Sequence, residues 1–430
     1  MHEPIKVAVF PCGSEVGLEI NRSLRYARHF TLIGLNSTPD HGRMMFDHYY
    51  GNLPSFRDAG FIAELAWIIR EEGIRFLVPA MDEVAAELKK RETELGCEVV
   101  CAASDVMEIV GSKSATYDRL SGIVPVPKRY DEFADILAHL PVFSKPDVGY
   151  GSRNVALIDR EDSLRKRWAE KEGLLFLEYL PGEEYTVDCF SDMEHQVLYA
   201  GPRIRRRVRM GISVNTLPVS IDGIEEMAQK ISSALKLQGT WFFQLKRNTE
   251  GELVLLEVAS RLAGSMALNR LKGVNFILLE LFQRLGYPIS ITPNTMHPVE
   301  LERAFDCKLL TTSAYDTVYV DFDDCLLIRG QLNTVLLRFL FQQVNAGKKI
   351  ILITKHDGDL PRKLKAFRIT ELFDEVIHIK PQEDKYPHMK ESGALFIDDS
   401  HVERLHAVTH RHVIAVAPDV IDALIDYRKL

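Results

Sequence analysis

Residues 317–326, Thr-Val-Tyr-Val-Asp-Phe-Asp-Asp-Cys-Leu, form an apolar run that empties into three carboxylates, Asp321, Asp323 and Asp324. A second run, 349–354, ends in the hydroxyl of Thr354, and a third, 394–400, ends in Asp398, Asp399 and Ser400. If these runs are neighbouring strands of an open α/β sheet, their carboxyl ends are where a ligand site belongs. Carboxylates gathered there repel one another and raise each other's pKa unless a divalent cation shares them. Mg²⁺ is the expected occupant, since it takes hard oxygen ligands and works with phosphate. Asp321 and Asp323, at i and i+2, leave the same side of a strand end, so one can attack while the other protonates a leaving oxygen.

A second candidate centre lies in residues 240–265, TWFFQLKRNTEGELVLLEVASRLAGS. Two apolar strands flank Asn248 to Gly251, which has the composition of a four-residue hairpin loop. That loop would pair Arg247 with Glu252 and put Gln244, Lys246, Leu255 and Glu257 on one face, with Trp241, Phe243, Leu245, Val254, Leu256 and Val258 on the other. An acid near the end of such a strand needs a cation or a hydrogen-bonded partner, so Glu257 is a candidate metal ligand. An amphipathic hairpin with one satisfied glutamate fits the same residues. Upstream, the strand 142–146 ends at Lys145 and Pro146, before a loop containing Gly149, Gly151 and Ser152. Glycines there let backbone N–H groups turn toward an anion, and with Lys145 beside them a triphosphate is the natural ligand. The spacing is not that of a P-loop.

The elements that must position these groups read as α/β throughout. Residues 5–10 are a buried-strand pattern, followed by a Gly-containing turn and a helical stretch over 18–28, with further strands at 31–35 and 75–79. Gly13 and Gly17 lack the full dinucleotide fingerprint and no ribose-binding acid follows, which argues against NAD. Gly111 to Tyr117 begins a helix that Ser112 or Ser114 can cap. The run Arg203 to Arg209 leads toward a turn at 210–215; a like-charge cluster is usually a solvated face, and anion binding is the competing reading.

At 430 residues the chain should hold two or three domains. Its 46% hydrophobic and 27% charged residues are those of an ordinary soluble protein. The net charge of −8 argues against a general nucleic-acid binder. The six cysteines, Cys12, Cys97, Cys101, Cys189, Cys307 and Cys325, follow no zinc or redox spacing and read as reduced thiols. With no signal-peptide pattern and no apolar run of about 20 residues, the expected place is the cytoplasm, with no membrane partner.

Gln244 together with Glu257-Val258-Ala259-Ser260-Arg261 resembles the ATP-grasp superfamily, in particular its carbamoyl-phosphate-synthase-like and carboxylate-amine ligases. That family carries a Gln or acidic residue on one strand and a Glu-x-Asn-x-Arg stretch on the next. The resemblance implies ATP and Mg²⁺ as cofactors, Glu257 and Gln244 around the metal, and Arg261 on the transferring group. Ala259 stands where the family usually has Asn, so Ser260, water or phosphate oxygens would fill the shell and the number of Mg²⁺ ions is open. By the same resemblance Lys113 and Lys145 contact phosphates, residues Glu178, Tyr179 and Leu180 hold the adenine, and Glu184 meets the ribose. It also implies an α/β pre-domain over 1–110, with Ser14, Glu15, Asp82 and Glu83 toward the substrate, and an α+β nucleotide clamp over 111–306. Related ligases place arginines on phosphate or carboxylate where Arg203 to Arg209 falls, so the resemblance favours anion binding there over a solvated face, by an arginine that spacing does not single out.

Residues 315–430 resemble the haloacid dehalogenase (HAD) superfamily of phosphatases, a Rossmann-like fold. That resemblance makes Asp321 the nucleophile, Asp323 the general acid and base and Thr354 a phosphate contact. Lys385 would neutralise the transferring group, and Asp398 and Asp399 would join Asp321 and Asp323 at the metal. Cys325 replaces the family's usual Thr, Lys380 competes with Lys385, and about thirty residues between the first two motifs leave no room for a large cap. The two resemblances together imply a multifunctional enzyme, an ATP-dependent ligase that forms an acyl phosphate fused to a phosphohydrolase. Its partners would be a small-molecule carboxylate, an amine or other nucleophile, a phosphorylated substrate for the C-terminal part and, for a ligase of this kind, a second copy in a homo-oligomer. The alternatives are an ATP-grasp kinase with a coupled phosphatase and a non-catalytic nucleotide sensor.

Overall fold

In the computed structural model of the chain the described residues are 3–149, 153–209, 211–293, 300–304 and 311–429. The expected loop residues Gly151 and Ser152, and the boundary at 306, lie outside them. The chain divides into two compact units, Met1–Phe305 and Asp306–Leu430. Among the described residues no helix is long and apolar enough to cross a membrane.

The first unit begins with β1 (Ile5–Phe10), β2 (Phe30–Leu35), β3 (His48–Tyr50), β4 (Phe76–Pro79) and β5 (Glu98–Val99), a parallel sheet in the order β3-β2-β1-β4-β5. The helix expected over 18–28 instead spans Glu15–Leu24, because the Ser14 hydroxyl caps it by accepting from Gly17 N at 3.0 Å. Next come β6 (Val142–Pro146), β7 (Ala156–Ile158) and β8 (Leu174–Glu178), an antiparallel sheet in the order β7-β6-β8. The main antiparallel sheet holds β9 (Glu184–Ser191), β10 (Val197–Arg209), β11 (Ile212–Pro218), β12 (Gly239–Arg247), β13 (Leu253–Ala259) and β14 (Leu301–Glu302), in the order β13-β12-β9-β10-β11-β14.

One apolar cluster runs through this unit. Ala8, Phe10 and Leu77 of the parallel sheet, Val106 and Leu120 of the following helices, and Val187, Trp241 and Leu245 of the main sheet all belong to it. No gap in the core therefore separates residues before and after 110, and the first unit is one compact body.

The β12–β13 hairpin differs from expectation in two ways. Its loop is five residues, not four, and Arg247 pairs with Leu253 instead of Glu252. Asn248 explains the extra residue: its Oδ1 accepts from Glu250 N at 3.0 Å and Glu252 N at 2.8 Å. A β-bulge at Leu256 then moves the partner of Leu245 to Leu255 and that of Gln244 to Glu257. Leu255 is consequently in the core with Leu245 and Val258, whereas Leu256 turns to the face that carries Glu257 and lines a cavity there. The bulge frees the Leu256 carbonyl, which accepts from Tyr117 Oη at 2.7 Å and from Lys145 Nζ at 3.3 Å.

The second unit holds β15 (Thr317–Val320), β16 (Leu327–Ile328), β17 (Gln331–Leu332), β18 (Lys349–Thr354), β19 (Glu375–His378), β20 (Leu395–Ile397) and β21 (Ile414–Val416). Five of these form a parallel sheet, β19-β18-β15-β20-β21. Period-2 alternation divides its core: Val318, Val320, Ile350 and Leu352 face one side with Phe339, and Tyr319, Ile351, Ile353 and Phe396 face the other with Ala407. Between the first acids and Thr354 stand the β16–β17 ribbon and the helix Thr334–Asn345.

Candidate active sites

Two cavities of the first unit share part of their walls. The smaller is lined by Lys145, Glu178, Tyr179, Leu180, Glu184 and Leu256. The larger, ≈ 690 Å³, is lined by Ser14, Glu15, Asp82, Glu83, Arg203 and Arg261. Lys113, Gly149, Arg205, Gln244 and Glu257 border both.

Lys145 is at the end of β6, where the Lys145 ammonium donates to Tyr117 Oη at 2.8 Å. Burial pushes it down to about 8, against the opposing pull of the Glu257 carboxylate. An ammonium held in such a place gains most from an incoming anion. Lys113 is at the first position of the helix Lys113–Leu120, capped by Ser112. Its Nζ donates to the carbonyls of Asp147 and Gly149, both at 3.1 Å, so it steadies the Gly149 loop. Glu178 accepts from Lys128 N at 2.9 Å, and Tyr179 and Leu180 follow it on the cavity wall.

On β12 and β13, Gln244 Nε2 donates to Glu257 Oε1 at 2.6 Å. Arg205 Nη1 donates to Gln244 Oε1 at 2.6 Å and also to Glu184, so four strands, β9, β10, β12 and β13, lock these side chains together. Glu257 Oε2 accepts no hydrogen bond among the described residues. No described group of three metal-ligand side chains includes Glu257. A cation at this wall would hold Glu257, with the amide oxygen of Gln244 already taken by Arg205. Arg261 is engaged as well: its Nε and Nη2 donate to Asp82 at 2.8 and 2.7 Å. Arg203 to Arg209 is the latter part of β10, ahead of the turn at Gly211, and only its first part is sheltered. Arg203 is buried on Asp188 and the Arg205 side chain is held against Glu184, while Arg206, Arg207 and Arg209 are exposed.

In the second unit Asp321 follows β15, Thr354 ends β18 and Asp398 follows β20, all at one end of the sheet. Lys385 Nζ lies 2.7 Å from Asp321 Oδ1 and 2.6 Å from Asp398 Oδ2. Burial pushes the Asp321 carboxyl up to about 6; Lys385 opposes this and Asp398 adds to it. Asp398 is fully buried and spends its other oxygen on Ser400 N at 2.8 Å. The ligand atoms that come within 4.8 Å of one another belong to Asp321, Cys325 and Asp399. Asp323 and Asp398 are not in that group. Asp323 Oδ2 instead pairs with His356 Nδ1 at 2.7 Å. Lys380 is not at the cluster's ion pairs, and Lys385 is.

His356, Tyr117 and Arg303 were not singled out by the sequence. A polar residue two places after Thr354 was the available signal for His356; Tyr117 and Arg303 had none, since their contacts come from distant strands.

Residues 170–311 match the family model described as ATP-grasp in the biosynthetic pathway with Ter operon. A comparison with curated protein sequences gives no match. Among solved structures, the biotin carboxylase domain of 2-oxoglutarate carboxylase from Hydrogenobacter thermophilus, in complex with MgADP, ADP and bicarbonate, superposes with a TM-score of 0.59 at 15% identity, over 68% of this chain and 72% of that one. L-amino acid ligase from Bacillus licheniformis gives 0.54 at 18% identity, over 67% and 76%. N5-carboxyaminoimidazole ribonucleotide synthetase from Thermotoga maritima gives 0.54 at 18%, over 69% and 79%. The chain thus has a mixed α/β structure with the ATP-grasp fold.

Proposed function

We propose that the chain is an ATP-dependent ligase that joins a carboxylate to an amine or other nucleophile through an acyl phosphate. The observation that carries this reading is the pair of cavities meeting at Gln244 and Glu257. One has the lysine, Gly-loop edge and strand-end backbone suited to a nucleotide, and the other is large enough for a second substrate. The solved ligases and carboxylases of the same fold, one of them bound to MgADP, support ATP and Mg²⁺ as its cofactors. Lys145 holds phosphate oxygens by charge, and Lys113 keeps the Gly149 loop over them. Mg²⁺ held by Glu257 would neutralise phosphate charge. Arg261, fixed by Asp82, faces the second cavity, where it orients the acid that is phosphorylated. By family likeness we assign domains to residues 1–110 and 111–306, through which the single core of the first unit runs.

Residues 315–430 are proposed to be a HAD-type phosphohydrolase. Asp321 attacks phosphorus, Asp323 carries the proton under the hold of His356, and Lys385 sets the charge beside Asp321. Mg²⁺ at Asp321 and Asp399 would draw off charge from the phosphoryl oxygens. The Cys325 thiol stands third in that group. As a soft donor it is a poor Mg²⁺ ligand, and the shell would be completed by water and substrate.

Incubation with Mg·ATP and a metabolite extract, followed by mass spectrometry, tests the ligase. ADP together with a condensed product is expected. A phosphorylated product with none condensed would make the protein a kinase, and tight ATP binding without turnover would make it a sensor.

The Lys145 ammonium carries its own expected result. Because the protonated form holds phosphate, ADP affinity should be flat below about pH 8 and fall above it, by at most about tenfold per pH unit. Lys145→Met should bind ADP about tenfold more weakly at neutral pH and lose that fall. Equal affinity of both proteins across this range would return Lys145 to a purely structural role.

A further inference from the structure

The acidic end of the second unit's sheet holds a thiol among its carboxylates. β15 stops at Val320, and the chain then turns back on itself: Leu326 N and Leu327 N both donate to Phe322 O, at 3.0 and 2.8 Å, and Asp324 takes a left-handed φ of 56°. The turn leaves Asp324 at the surface and returns Cys325, fully buried, to Asp321. Asp399 arrives from the end of β20, and the Cys325 thiol donates to its Oδ1 at 3.9 Å. One ligand atom from each of Asp321, Cys325 and Asp399 lies within 4.8 Å of the other two. Asp321 and Cys325 are buried and Asp399 is exposed, so a cation can enter from the Asp399 side.

The negative charge at this end exceeds the positive charge set against it. Lys385 is shared between Asp321 and Asp398, and Arg404 Nη1 donates to the backbone carbonyls of Asp398 and Asp399 and not to their carboxylates. The Asp399 carboxylate has no ion pair among the described residues. A divalent cation answers that excess, and the donor set decides which one. Mg²⁺ takes oxygen ligands at about 2.0–2.1 Å, which places neighbouring ligands of its octahedron about 2.9 Å apart, so it can use the two carboxylates but not the sulfur. A tetrahedral ion of the zinc class bonds sulfur and oxygen at about 2.0–2.3 Å, and its ligands are about 3.3–3.8 Å apart. Closing the three donors onto such an ion takes a movement of about 1 Å at most, which the exposed Asp399 side chain can supply. Thiolate favours the softer cation as well.

We propose that Asp321, Cys325 and Asp399 capture a thiophilic divalent cation of the zinc class, and that the captured ion stops hydrolysis at the second unit by occupying Asp321. On capture the S–H bond breaks, a sulfur–metal bond forms and the proton passes to solvent, with no change of oxidation state. The arrest of hydrolysis rests on reading Asp321 as the nucleophile of a phosphohydrolase; the capture does not.

The test uses the full chain, kept reduced with a phosphine, and Cd²⁺ as the probe, because a cadmium–thiolate bond absorbs in the ultraviolet where Mg²⁺ does not. One Cd²⁺ per chain should bind with this charge-transfer band and release one proton, and excess Mg²⁺ should leave the band in place. Cys325→Ser should lose the band and bind Cd²⁺ about 100-fold more weakly. Asp399→Asn changes an exposed side chain and keeps the thiol, so it tests the chelate without disturbing the core; its Cd²⁺ affinity should fall by at least about tenfold. A band that persists in Cys325→Ser, or equal Cd²⁺ affinity in Asp399→Asn, overturns the capture. In the parent, one equivalent of Cd²⁺ should lower Mg²⁺-dependent hydrolysis of an aryl phosphate by about tenfold or more, and a chelator should restore it. Undiminished hydrolysis with the band present overturns the arrest. If the parent hydrolyses no aryl phosphate even without Cd²⁺, the phosphohydrolase reading fails, and the absorption titration still decides the capture.

Discussion

Asp321→Asn is expected to reduce Mg²⁺-dependent hydrolysis of an aryl phosphate by about 10³-fold or more, because an amide oxygen cannot form the covalent phosphoaspartate the chemistry needs. The fold should survive. Lys385 keeps Asp398 at 2.6 Å, and the substitution takes away a carboxylate that burial already pushes up to about 6. The sign follows from that shift: a raised carboxyl makes the folded state lose stability as pH rises from the ordinary Asp range through about 6. Asn has no charge to bury, so at neutral pH the variant should melt no lower than the parent. Lost hydrolysis with an unchanged melting temperature assigns the effect to chemistry. Hydrolysis at the parental rate would remove Asp321 as nucleophile and with it the phosphatase reading. His356→Asn, which loosens Asp323, gives a milder comparison because it leaves Asp321 and Lys385 in place.

How much of this was legible in the sequence depends on how local the cause is. The acids of the second unit follow strands buried on both faces, so apolar runs mark the strands and their ends mark the cluster. Which acids share a ligand-sized space was not legible. Asp323 turns to His356 and Asp398 to Lys385, and both partners arrive from other loops. The hairpin of the first unit is the sharper case. Alternation counted from the loop brings Gln244 near Glu257, yet it puts Leu255 on the wrong face. The bulge at Leu256 answers to Tyr117 and Lys145, residues 139 and 111 positions away, and no pattern within the hairpin can announce it. The arginine run is divided for a related reason. Counted as charge its members look alike, whereas β10 turns Arg203 to Asp188 and Arg205 to Glu184 and leaves Arg206, Arg207 and Arg209 exposed.

Glu257→Gln should lower ATP turnover by about 10²- to 10³-fold, and the difficulty is to separate the metal from Lys145. The Glu257 carboxylate is one of the charges that hold the Lys145 ammonium up against burial. Without it Lys145 falls further below its ordinary range, and phosphate binding at neutral pH weakens even if Glu257 never touches a cation. The two roles separate with pH and with Mg²⁺. Well below pH 8 Lys145 is charged in the parent, and acidification recharges it in the variant too, so ADP affinity measured without Mg²⁺ should converge. Turnover should not converge, since a neutral amide at 257 cannot replace a carboxylate at the metal, and Gln244 already gives its amide oxygen to Arg205. The Mg²⁺ concentration needed for half-maximal turnover should rise as well. If acid pH restores turnover along with affinity, Glu257 acts through Lys145 and is no metal ligand. If turnover is undiminished at every pH, the wall between the two cavities is not where the phosphoryl group is transferred.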